Sequence, residues 1–413
     1  MDEKTPVAPV PSMPTWDTLE EFLRGHIQAM VQRVLEAEVT ELLGRAKSER
    51  RAGVDPALGY RNGFGKPRRL TLACGTIELR RPRVRNMEER FESRVLPMFR
   101  TRGRKVEELL PELYLHGLAK GDFTLALRGL LGDGAALSSC VIERLRVNWQ
   151  HEYDAWCTRD LSDRELVYLW ADGIYVKAGL EREKAALLVV IGAMADGSKE
   201  VLAVRPGYRE STESWKTLFA DLIARGLEAP RVVVADGAAG AWAAAGAVWP
   251  HAREQRCWNH KLVNVIDQLP PKLRGAAREQ LCRIPYARTR AAAEKLRDGF
   301  AKAYRRTHPR AVEVLEKDWE RMVAFYDFPR EHWKHLRTTN VIESPFSLVR
   351  LRTDAAKRFK KTENATAMIW RLLLLAERHF RKLHSAHLAA EVYRGVAYAD
   401  GVKVSKSNQK SAA

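Results

Sequence analysis

The sequence predicts an α+β protein of several domains, and three observations support this. The 413 residues are 46% hydrophobic, which is enough for two or three globular cores. Around Leu166 the apolar pattern changes from helical spacing to the alternation that is typical of strands. Residues 270–335 return to helical spacing without strand patterning. Between these points, strands, a helix, a further strand and another helix predict an α/β domain, which the all-helical segment follows.

The net charge of +18 is concentrated in two stretches. Between Arg45 and Lys105 there are 18 basic and 6 acidic residues, and between Ser344 and Lys382 there are 10 and 3. Together these surpluses account for the whole net charge, so the rest of the chain is about neutral. Charge placed in this way predicts an anionic partner, with nucleic acid first and an acidic membrane surface second. The basic stretches lack a strongly amphipathic aromatic face, which favours nucleic acid.

The pattern divides the chain into six segments. They are a flexible N-terminus, a mainly helical basic region, an α/β segment, an all-helical segment, a final long helix and a basic tail. Their predicted bounds are 1–15, 16–160, 161–269, 270–335, 336–386 and 387–413. The sequence has no transmembrane-length apolar run, no signal-peptide pattern and only five scattered cysteines. We therefore expect an intracellular protein with no membrane partner.

The basic region is predicted to begin with one long amphipathic helix. Apolar residues recur at helical spacing from Leu19 to Leu43, and this stripe packs either in its own domain or against a second copy in a dimer. Two short strands are expected around the Cys74–Gly75 turn. The stretch LSSCVIERLRVNW, 137–149, fits either the second helix of a helix-turn-helix or a structural helical domain. The candidate DNA contacts around the two strands are Arg61, Lys66, Arg68, Arg69, Arg81, Arg83 and Arg85.

Four aspartates occur in the tripeptide Ala-Asp-Gly, at 172, 196, 236 and 400. Because Asp-Gly is a common tight-turn signal, a turn is the first interpretation of each. Asp196 separates two alternating apolar runs by a turn's length, which predicts a hairpin turn. Asp400 lies in the tail with no apolar run after it, so we expect a turn there as well.

The other two aspartates have a second interpretation. Asp172 interrupts an apolar row of alternate residues, so it is either a strand carboxylate with a dedicated partner or another hairpin turn. Asp236 ends a short apolar strand that leads into a helix, where it is either an active-site residue or a helix N-cap. Two acids at neighbouring strand positions suggest a Mg²⁺ site of the kind that cleaves phosphodiesters, and such a site normally needs a third acid.

Three glutamates of the last core segment could supply the third acid, namely Glu343, Glu363 and Glu377. Glu343 has two local arguments in its favour. It lies at the start of the helix, where a carboxylate suits the helix dipole. Arg350 and Arg352 follow about two turns later and could hold DNA phosphates beside a metal ion. A glutamate that only stabilises a helix N-terminus remains the alternative.

At these residues the chain resembles the bacterial Mutator-type insertion-sequence transposases. The similarity lies in ordered stretches between Glu36 and Leu383, which are YRNGFGKPRRLTL with ELRRPRVR, WADGIYVKAG, VVVADGAAGAW, EQRCWNHKLVNVIDQLP and TTNVIESPFSLVRLRTDAAKRF. The resemblance implies a ribonuclease-H-like catalytic core in two parts, 161–269 and 336–386, with a helical insertion at 270–335 before the glutamate, and a region for dimerisation and DNA binding at 16–160. It also implies an Asp-Asp-Glu catalytic triad of Asp172, Asp236 and Glu343, with the family's basic residue seven positions later at Arg350.

A Cys-x-x-His element, Cys257 and His260, resembles a pair that is conserved in the family. A structural zinc site needs four ligands, and no second Cys/His pair of matching spacing is present. His251 and Cys282 are further potential ligands, but their spacing does not predict a site. We therefore expect a structural pair beside the active site and no zinc.

The resemblance implies a DNA transposase that binds two Mg²⁺ ions through the triad, with Mn²⁺ expected to substitute. Such an enzyme cleaves DNA at terminal inverted repeats, frees a 3′-hydroxyl and transfers it to double-stranded target DNA. The family also implies a homodimer, a location at the nucleoid in the bacterial cytoplasm, and a copy-out, paste-in route. Two alternatives remain: a nuclease of the same fold that cuts without joining, and a non-catalytic DNA-binding regulator.

Overall fold

The computed structural model describes residues 13–49, 59–89, 91–97, 100–118, 120–132, 139–178, 185–207, 211–356, 359 and 361–404. The chain forms two compact units, Met1–Leu145 and Arg146–Ala413. Their boundary falls inside a helix, Ser139–Cys157, whereas the sequence predicts a boundary after residue 160. Among the described residues, no helix is long and apolar enough to cross a membrane.

The first unit combines helices with two small antiparallel strand pairs. Its elements are α1 (Leu19–Leu43), β1 (Tyr60–Phe64), β2 (Arg68–Leu72), β3 (Gly75–Leu79), β4 (Pro82–Arg85), α2 (Arg104–Leu115), α3 (Lys120–Leu131) and the start of α4 (Ser139–Cys157). Strand β2 pairs with β3 around the Cys74–Gly75 turn, which confirms the predicted hairpin. Strand β1 pairs with β4 and was not predicted, because its sequence YRNGF lacks apolar alternation and its pairing contains an irregularity.

Helix α1 packs within its own unit. Leu35 is fully buried in a cluster with Ile77, Leu79 and Leu96, and the helix contacts β3. It ends at Gly44, whose φ of 61° is the left-handed conformation that a glycine C-cap adopts most easily. The predicted long helix is therefore confirmed, and the buried part of its apolar stripe packs in its own domain.

The second unit is built on a five-stranded sheet with helices on both faces. Its elements after α4 are β5 (Leu166–Val176), β6 (Ala185–Met194), β7 (Lys199–Gly207), α5 (Thr212–Ala224), β8 (Val232–Ala235), α6 (Ala239–Val248), β9 (Arg253–Arg256), α7 (Trp258–Ile266), α8 (Pro271–Arg283), α9 (Arg290–Tyr304), α10 (Pro309–Glu316), α11 (Trp319–Val323), α12 (Trp333–Leu336), α13 (Asn340–Ala356), α14 (Thr362–Glu377), α15 (His387–Tyr393), β10 (Tyr398–Ala399) and β11 (Val402–Lys403).

The strand order in this sheet is β7-β6-β5-β8-β9. Strands β5, β6 and β7 are antiparallel, and β8 and β9 join them in parallel with β5. Alternate residues of the central strands, including Leu169, Ala171 and Ala235, lie in an apolar core with residues of α5 and α6. On the opposite face, Tyr168 hydrogen bonds His332 at 2.7 Å and Trp170 donates to the His335 carbonyl oxygen. The residues around α12 and α13 therefore cover that second face.

The ends of α5 follow from local features of the sequence. Ser211 caps α5 by accepting a hydrogen bond from the Ser214 amide, and Gly226 follows the helix with a φ of 91°. Residues 271–336 are helical and contain no strand, as the sequence predicts. Asp196 lies in the β6–β7 hairpin turn and Asp400 in the β10–β11 turn, so both turn predictions are confirmed.

The structure corrects two predictions about the C-terminal third. Residues 339–383 form two helices, α13 and α14, and not one, because Phe359 between them donates its amide to the Lys177 carbonyl and bridges to Ala178 beside the sheet. The predicted basic tail at 387–413 is in part folded, since residues 387–404 form α15 and the β10–β11 hairpin, where buried Ala389 and Val392 lie on one side of the helix. Residues 405–413 lie outside the described residues.

Candidate functional site

Three predicted residues lie in one row at the end of the parallel strands. Ala171 of β5 pairs with Ala235 of β8, and Ala235 pairs with Arg256 of β9. Asp172, Asp236 and Cys257 are the next residues of the three strands, so all three lie at the same level of the sheet. Neighbouring strands are about 5 Å apart, which makes Asp172 and Asp236 direct neighbours.

Asp172 is a strand residue and not a turn residue. Strand β5 continues through it from Leu166 to Val176, and Asp172 pairs with Val189 of β6. It shares the face of Tyr168 and Trp170, on which the residues around α12 and α13 pack. The interpretation as a hairpin turn is therefore wrong, and the interpretation as a carboxylate within the sheet is confirmed.

The turn that carries Asp236 is held by its neighbours. The Asp236 carboxylate accepts a hydrogen bond of 2.8 Å from the Ala238 amide. Arg256 Nε donates to the Asp236 carbonyl oxygen at 3.4 Å, while its Nη1 lies 3.0 Å from Asp318. The N-cap of α6 is Ala238, without a side-chain cap, so Asp236 is not the N-cap residue. A half-buried carboxylate at a strand end remains available for ligand binding.

Glu343 lies in the first turn of α13 and is half-buried. Its Oε1 is 3.7 Å from His260 Nδ1, and the Thr339 hydroxyl is hydrogen-bonded to the same oxygen. The Thr339 hydroxyl also lies 3.1 Å from Cys257 Sγ. Since a hydroxyl carries one proton, it can donate to only one of these two groups at a time.

Cys257 and His260 are brought together by the start of α7. Cys257 is fully buried and is the N-cap residue of this helix. Burial opposes ionisation of the thiol, but hydrogen bonds from His260 and Thr339 outweigh it and lower the pKa of Cys257. The hydrogen bond with Cys257 raises the pKa of His260 to about 9, and the charges of Glu343 and Asp236 act in the same direction. His260 is therefore within electrostatic reach of two of the predicted triad residues.

The ligand atoms of Cys257, His260 and Glu343 lie within 4.8 Å of one another. Of the ligand atoms in the described part of the chain, those of Asp172 and Asp236 do not belong to this group. The structure thus brings Asp172 beside Asp236 on the sheet and brings Glu343 to the Cys-His pair. Asp236 and Glu343 both act electrostatically on His260, and Asp172 lies beside Asp236 on the sheet.

The two arginines of α13 differ in exposure. Arg350 is exposed, whereas Arg352 is 3% exposed. Residues two positions apart on a helix point to nearly opposite sides, which explains the difference. Burial leaves the Arg352 side chain inside the unit and not on its surface, where a DNA contact was expected, whereas exposed Arg350 is the accessible candidate for a phosphate contact.

A basic groove of about 400 Å³ lies in the first unit. Its basic lining residues are Lys66, Arg68, Arg81, Arg83 and Arg85. The last three alternate along β4 and the residue before it, so their side chains share one face. Partial burial and the charge of Arg81 lower the pKa of Arg68. Like charges that crowd one groove are typical of a site for an anion.

Not every predicted DNA contact faces this groove. Arg61 donates to the Thr40 hydroxyl at 2.7 Å and to the Arg45 carbonyl, so it ties β1 to the end of α1. Arg69 is exposed on β2, opposite Glu78 of β3. Arg68 lines the groove but also donates to the Arg100 carbonyl at 2.9 Å. Among the described residues, Lys66, Arg81, Arg83 and Arg85 have no ion pair.

Comparison with known proteins identifies the family. Residues 5–382 match the family described as "Transposase, Mutator family". The chain belongs to the Mutator family of transposases.

Several relatives of this Mutator-family chain are transposases of bacterial insertion sequences. The transposase for IS6120 from Mycolicibacterium smegmatis is 43% identical over 72% of this chain and 92% of its own length. The transposase for IST2 from Acidithiobacillus ferrooxidans is 39% identical over 67% and 94%, and that for ISRM5 from Rhizobium meliloti is 32% identical over 84% and 85%. The alignment with a Drosophila P element transposase strand transfer complex covers 69% of this chain and 84% of that chain, at 8% identity and a TM-score of 0.30.

Three residues beside the site of this Mutator-family chain were missed by the sequence analysis. They are Thr339, Arg256 and Asp318. Thr339 had a weak signal, because it lies four residues before Glu343 and such pairs meet on one helix face. Arg256 and Asp318 had no signal, since their contact joins β9 to the helical insertion across 62 residues of sequence.

Proposed function

We propose that this protein is a DNA transposase that binds the terminal inverted repeats of an insertion sequence and catalyses DNA strand cleavage and strand transfer. The observation that carries the proposal is the row at the sheet end, where Asp172 and Asp236 follow paired residues of adjacent parallel strands. The strand order β7-β6-β5-β8-β9, with three antiparallel and two parallel strands, supports a ribonuclease-H-like core. Membership of the Mutator family supports the same reaction.

The donor set fits Mg²⁺. Asp172, Asp236 and Glu343 offer carboxylate oxygens, the ligands that this hard cation prefers, and all three are half-buried and so reachable from solvent. We propose that these residues hold two Mg²⁺ ions, which Mn²⁺ can replace. When bound, the ions would supply activation of the attacking oxygen and stabilisation of the leaving oxygen in an in-line displacement.

The protein's own residues then have separate tasks. The sheet fixes Asp172 and the turn after β8 fixes Asp236, so two carboxylates are pre-positioned before DNA binds. Arg350 lies about two helical turns after Glu343, where an exposed guanidinium can bind a phosphate of the DNA strand. The basic groove of the first unit contributes sequence-independent affinity for the DNA backbone and so positions the transposon end.

The decisive experiment compares the wild type with Asp236→Asn on a DNA substrate that carries the two inverted repeats flanking the gene, in the presence of Mg²⁺. We expect the wild type to nick the ends and join them, and the variant to bind the same DNA without nicking or joining. The carboxylate-to-amide change preserves shape but removes the charge that a divalent cation needs, so losses of about 10³-fold or more are expected. Products are separated on denaturing gels.

Asp196→Asn is the matched control, because Asp196 occurs in the same tripeptide but lies in the β6–β7 hairpin turn. It is expected to nick and join like the wild type. Nicking without joining by the wild type would indicate a nuclease of the same fold. If the wild type and Asp236→Asn both bind the DNA and neither cleaves it, the protein is a DNA-binding regulator and the proposal is refuted.

A further inference from the structure

The contact of Glu343 with Cys257 and His260 creates a second ligand set beside the predicted triad. The three side chains offer one sulfur, one imidazole nitrogen and one carboxylate oxygen within 4.8 Å of one another. His260 Nδ1 and Glu343 Oε1 are 3.7 Å apart, which is close to the separation of two ligands on one small cation. The sequence spacing predicted only the Cys257–His260 pair, and the fold brings Glu343, at the start of α13, beside it as a third potential ligand.

The sulfur of Cys257 lies in surroundings that suit a metal-binding thiolate. It is fully buried at the N-terminus of α7, where the helix dipole favours negative charge. The Thr339 amide donates to it at 3.4 Å and the Thr339 hydroxyl lies at 3.1 Å. These contacts hold the sulfur in one position in the way that outer-shell hydrogen bonds orient metal ligands.

The imidazole of His260 has an unused ligand atom. Its Nδ1 is buried and has no hydrogen-bond partner among the described residues, although the ring as a whole is partly exposed. A buried ring nitrogen normally has a partner. Because this nitrogen lies 3.7 Å from Glu343 Oε1, a cation between the two groups could take one ligand atom from each.

The chemistry of the donors selects the kind of cation. Mg²⁺ binds oxygen ligands and avoids thiolates, whereas Zn²⁺ and similar transition metals take sulfur, nitrogen and carboxylate oxygen together. A site with three protein ligands and one open position is common for Zn²⁺. We infer that Cys257, His260 and Glu343 bind a divalent transition metal such as Zn²⁺, and that this ion withdraws Glu343 from the proposed Asp172–Asp236 site.

Binding is tested with Co²⁺, a coloured substitute for Zn²⁺, added to the metal-free full-length protein. We expect an absorption band from sulfur-to-cobalt charge transfer, with loss of this band in Cys257→Ser. His260→Gln, at a partly exposed position, should keep the fold and weaken Co²⁺ binding at least about tenfold, since even outer-shell partners contribute that much. Added Zn²⁺ should displace Co²⁺ and remove the band.

Cys157→Ser is the control, because Cys157 is another buried free thiol, on α4. It should retain the band. A wild type without the band at a large excess of Co²⁺, or a band that survives in both Cys257→Ser and His260→Gln, would overturn the inferred site. In those cases the three side chains form a hydrogen-bonded cluster only.

The second half of the inference rests on the proposed function, because it concerns catalysis through Glu343. In the Mg²⁺-dependent cleavage assay, Zn²⁺ at concentrations that displace Co²⁺ should abolish nicking, and a Zn²⁺ chelator of low Mg²⁺ affinity should restore it. Full nicking with the site occupied would refute the competition. The Co²⁺ spectrum does not depend on activity. A charge-transfer band in a protein that never cleaves DNA would therefore support the metal site while refuting the proposed transposase function.

Discussion

At the scale of single residues, Gly237 allows the backbone turn that positions Asp236 at the end of β8. Its φ is 109°, a conformation that side-chain-bearing residues rarely adopt. A Cβ atom at this position would lie 2.3 Å from Arg256 Nε, which itself donates to the Asp236 carbonyl oxygen. The glycine therefore permits both the turn and the arginine contact that fixes it.

Gly237→Ala is expected to destabilise the second unit by about 1–3 kcal/mol, the range for strained backbone conformations. Because the arginine contact is displaced, the variant should also need a higher Mg²⁺ concentration for half-maximal cleavage. Unfolding in urea followed by tryptophan fluorescence reports on this unit, since every tryptophan except Trp16 lies in it.

Gly299→Ala is the matched control. Gly299 lies inside α9, and a Cβ there would meet no atom within 4 Å. Alanine is the better helix former, so this change should be neutral or stabilising by up to about 1 kcal/mol. Equal urea midpoints for the wild type and Gly237→Ala would contradict the argument about the Asp236 turn.

The sequence alone predicted these residues unevenly. Asp196 could be assigned to a hairpin turn because alternating apolar runs flank it on both sides, and it lies in that turn. Asp236 could not be decided between an active-site residue and a helix N-cap, and the structure excludes the N-cap. Asp172 could not be decided, since a strand residue and a turn residue have the same local pattern until the partner strand is known. The neighbourhood of Glu343 and His260 depends on packing between elements that are 83 residues apart, so no local pattern contained it.

At the scale of elements, the β1–β4 ribbon forms one wall of the basic groove. Arg83 and Arg85 are exposed on β4, and Tyr60 of β1 pairs with Arg85. Two-stranded ribbons can lie along a DNA groove and present alternate side chains to the phosphates. The groove residues are therefore expected to contribute ionic contacts that respond to salt.

Replacing Arg83 and Arg85 with Ala should weaken end binding at low salt with little change in sequence preference. Each lost phosphate contact should make the slope of log K against log salt less steep by about 1. Titrations at several salt concentrations with labelled DNA measure this. Arg306→Ala, at an exposed arginine of the second unit's helical insertion, is the control and should leave the slope unchanged. An unchanged slope for the variant that lacks Arg83 and Arg85 would exclude the groove as a DNA site.

The two predictions about the C-terminal third that the structure corrects, one long helix and a tail, also concern whole elements. Helical periodicity continued across residues 339–383, but Phe359 takes an extended position against Lys177 and Ala178. A hydrogen bond between segments distant in sequence overrides local helix propensity, which is a weak preference. Likewise, α15 is short and is stabilised by burial of Ala389 and Val392, which composition alone does not reveal.

At the scale of the whole molecule, α1 leaves part of its apolar surface unused. Leu23, Met30 and Val34 are 46%, 60% and 40% exposed, and their spacing of seven and four residues places them on one stripe. The buried stripe with Leu35 and Val39 serves the unit's own core. We propose that the exposed stripe packs against a second copy, which gives the homodimer that would bring two transposon ends together.

Met30→Lys is expected to shift the protein from dimer to monomer, because a charge would be buried at the centre of the stripe. Sedimentation velocity at several concentrations measures the mass in solution. Ala29→Lys adds the same charge at an exposed neighbouring position and should leave the dimer intact. A wild type that sediments as a monomer, or a Met30→Lys protein that remains dimeric, would rule out this stripe as the interface.

The row formed by Asp172, Asp236 and Cys257 also determines where the chain can change length. Each of these residues comes directly after the last residue of its strand that pairs with the neighbouring parallel strand. One residue added within β8 would therefore shift Asp236 by about 3.3 Å and turn it to the opposite face of the sheet. The helical insertion starts after α7 and ends before Thr339, so it can grow or shrink without moving this row. Insertions and deletions among functional relatives should therefore be absent from β5, β8 and β9 and concentrate between α8 and α12, wherever the Asp318–Arg256 contact is preserved.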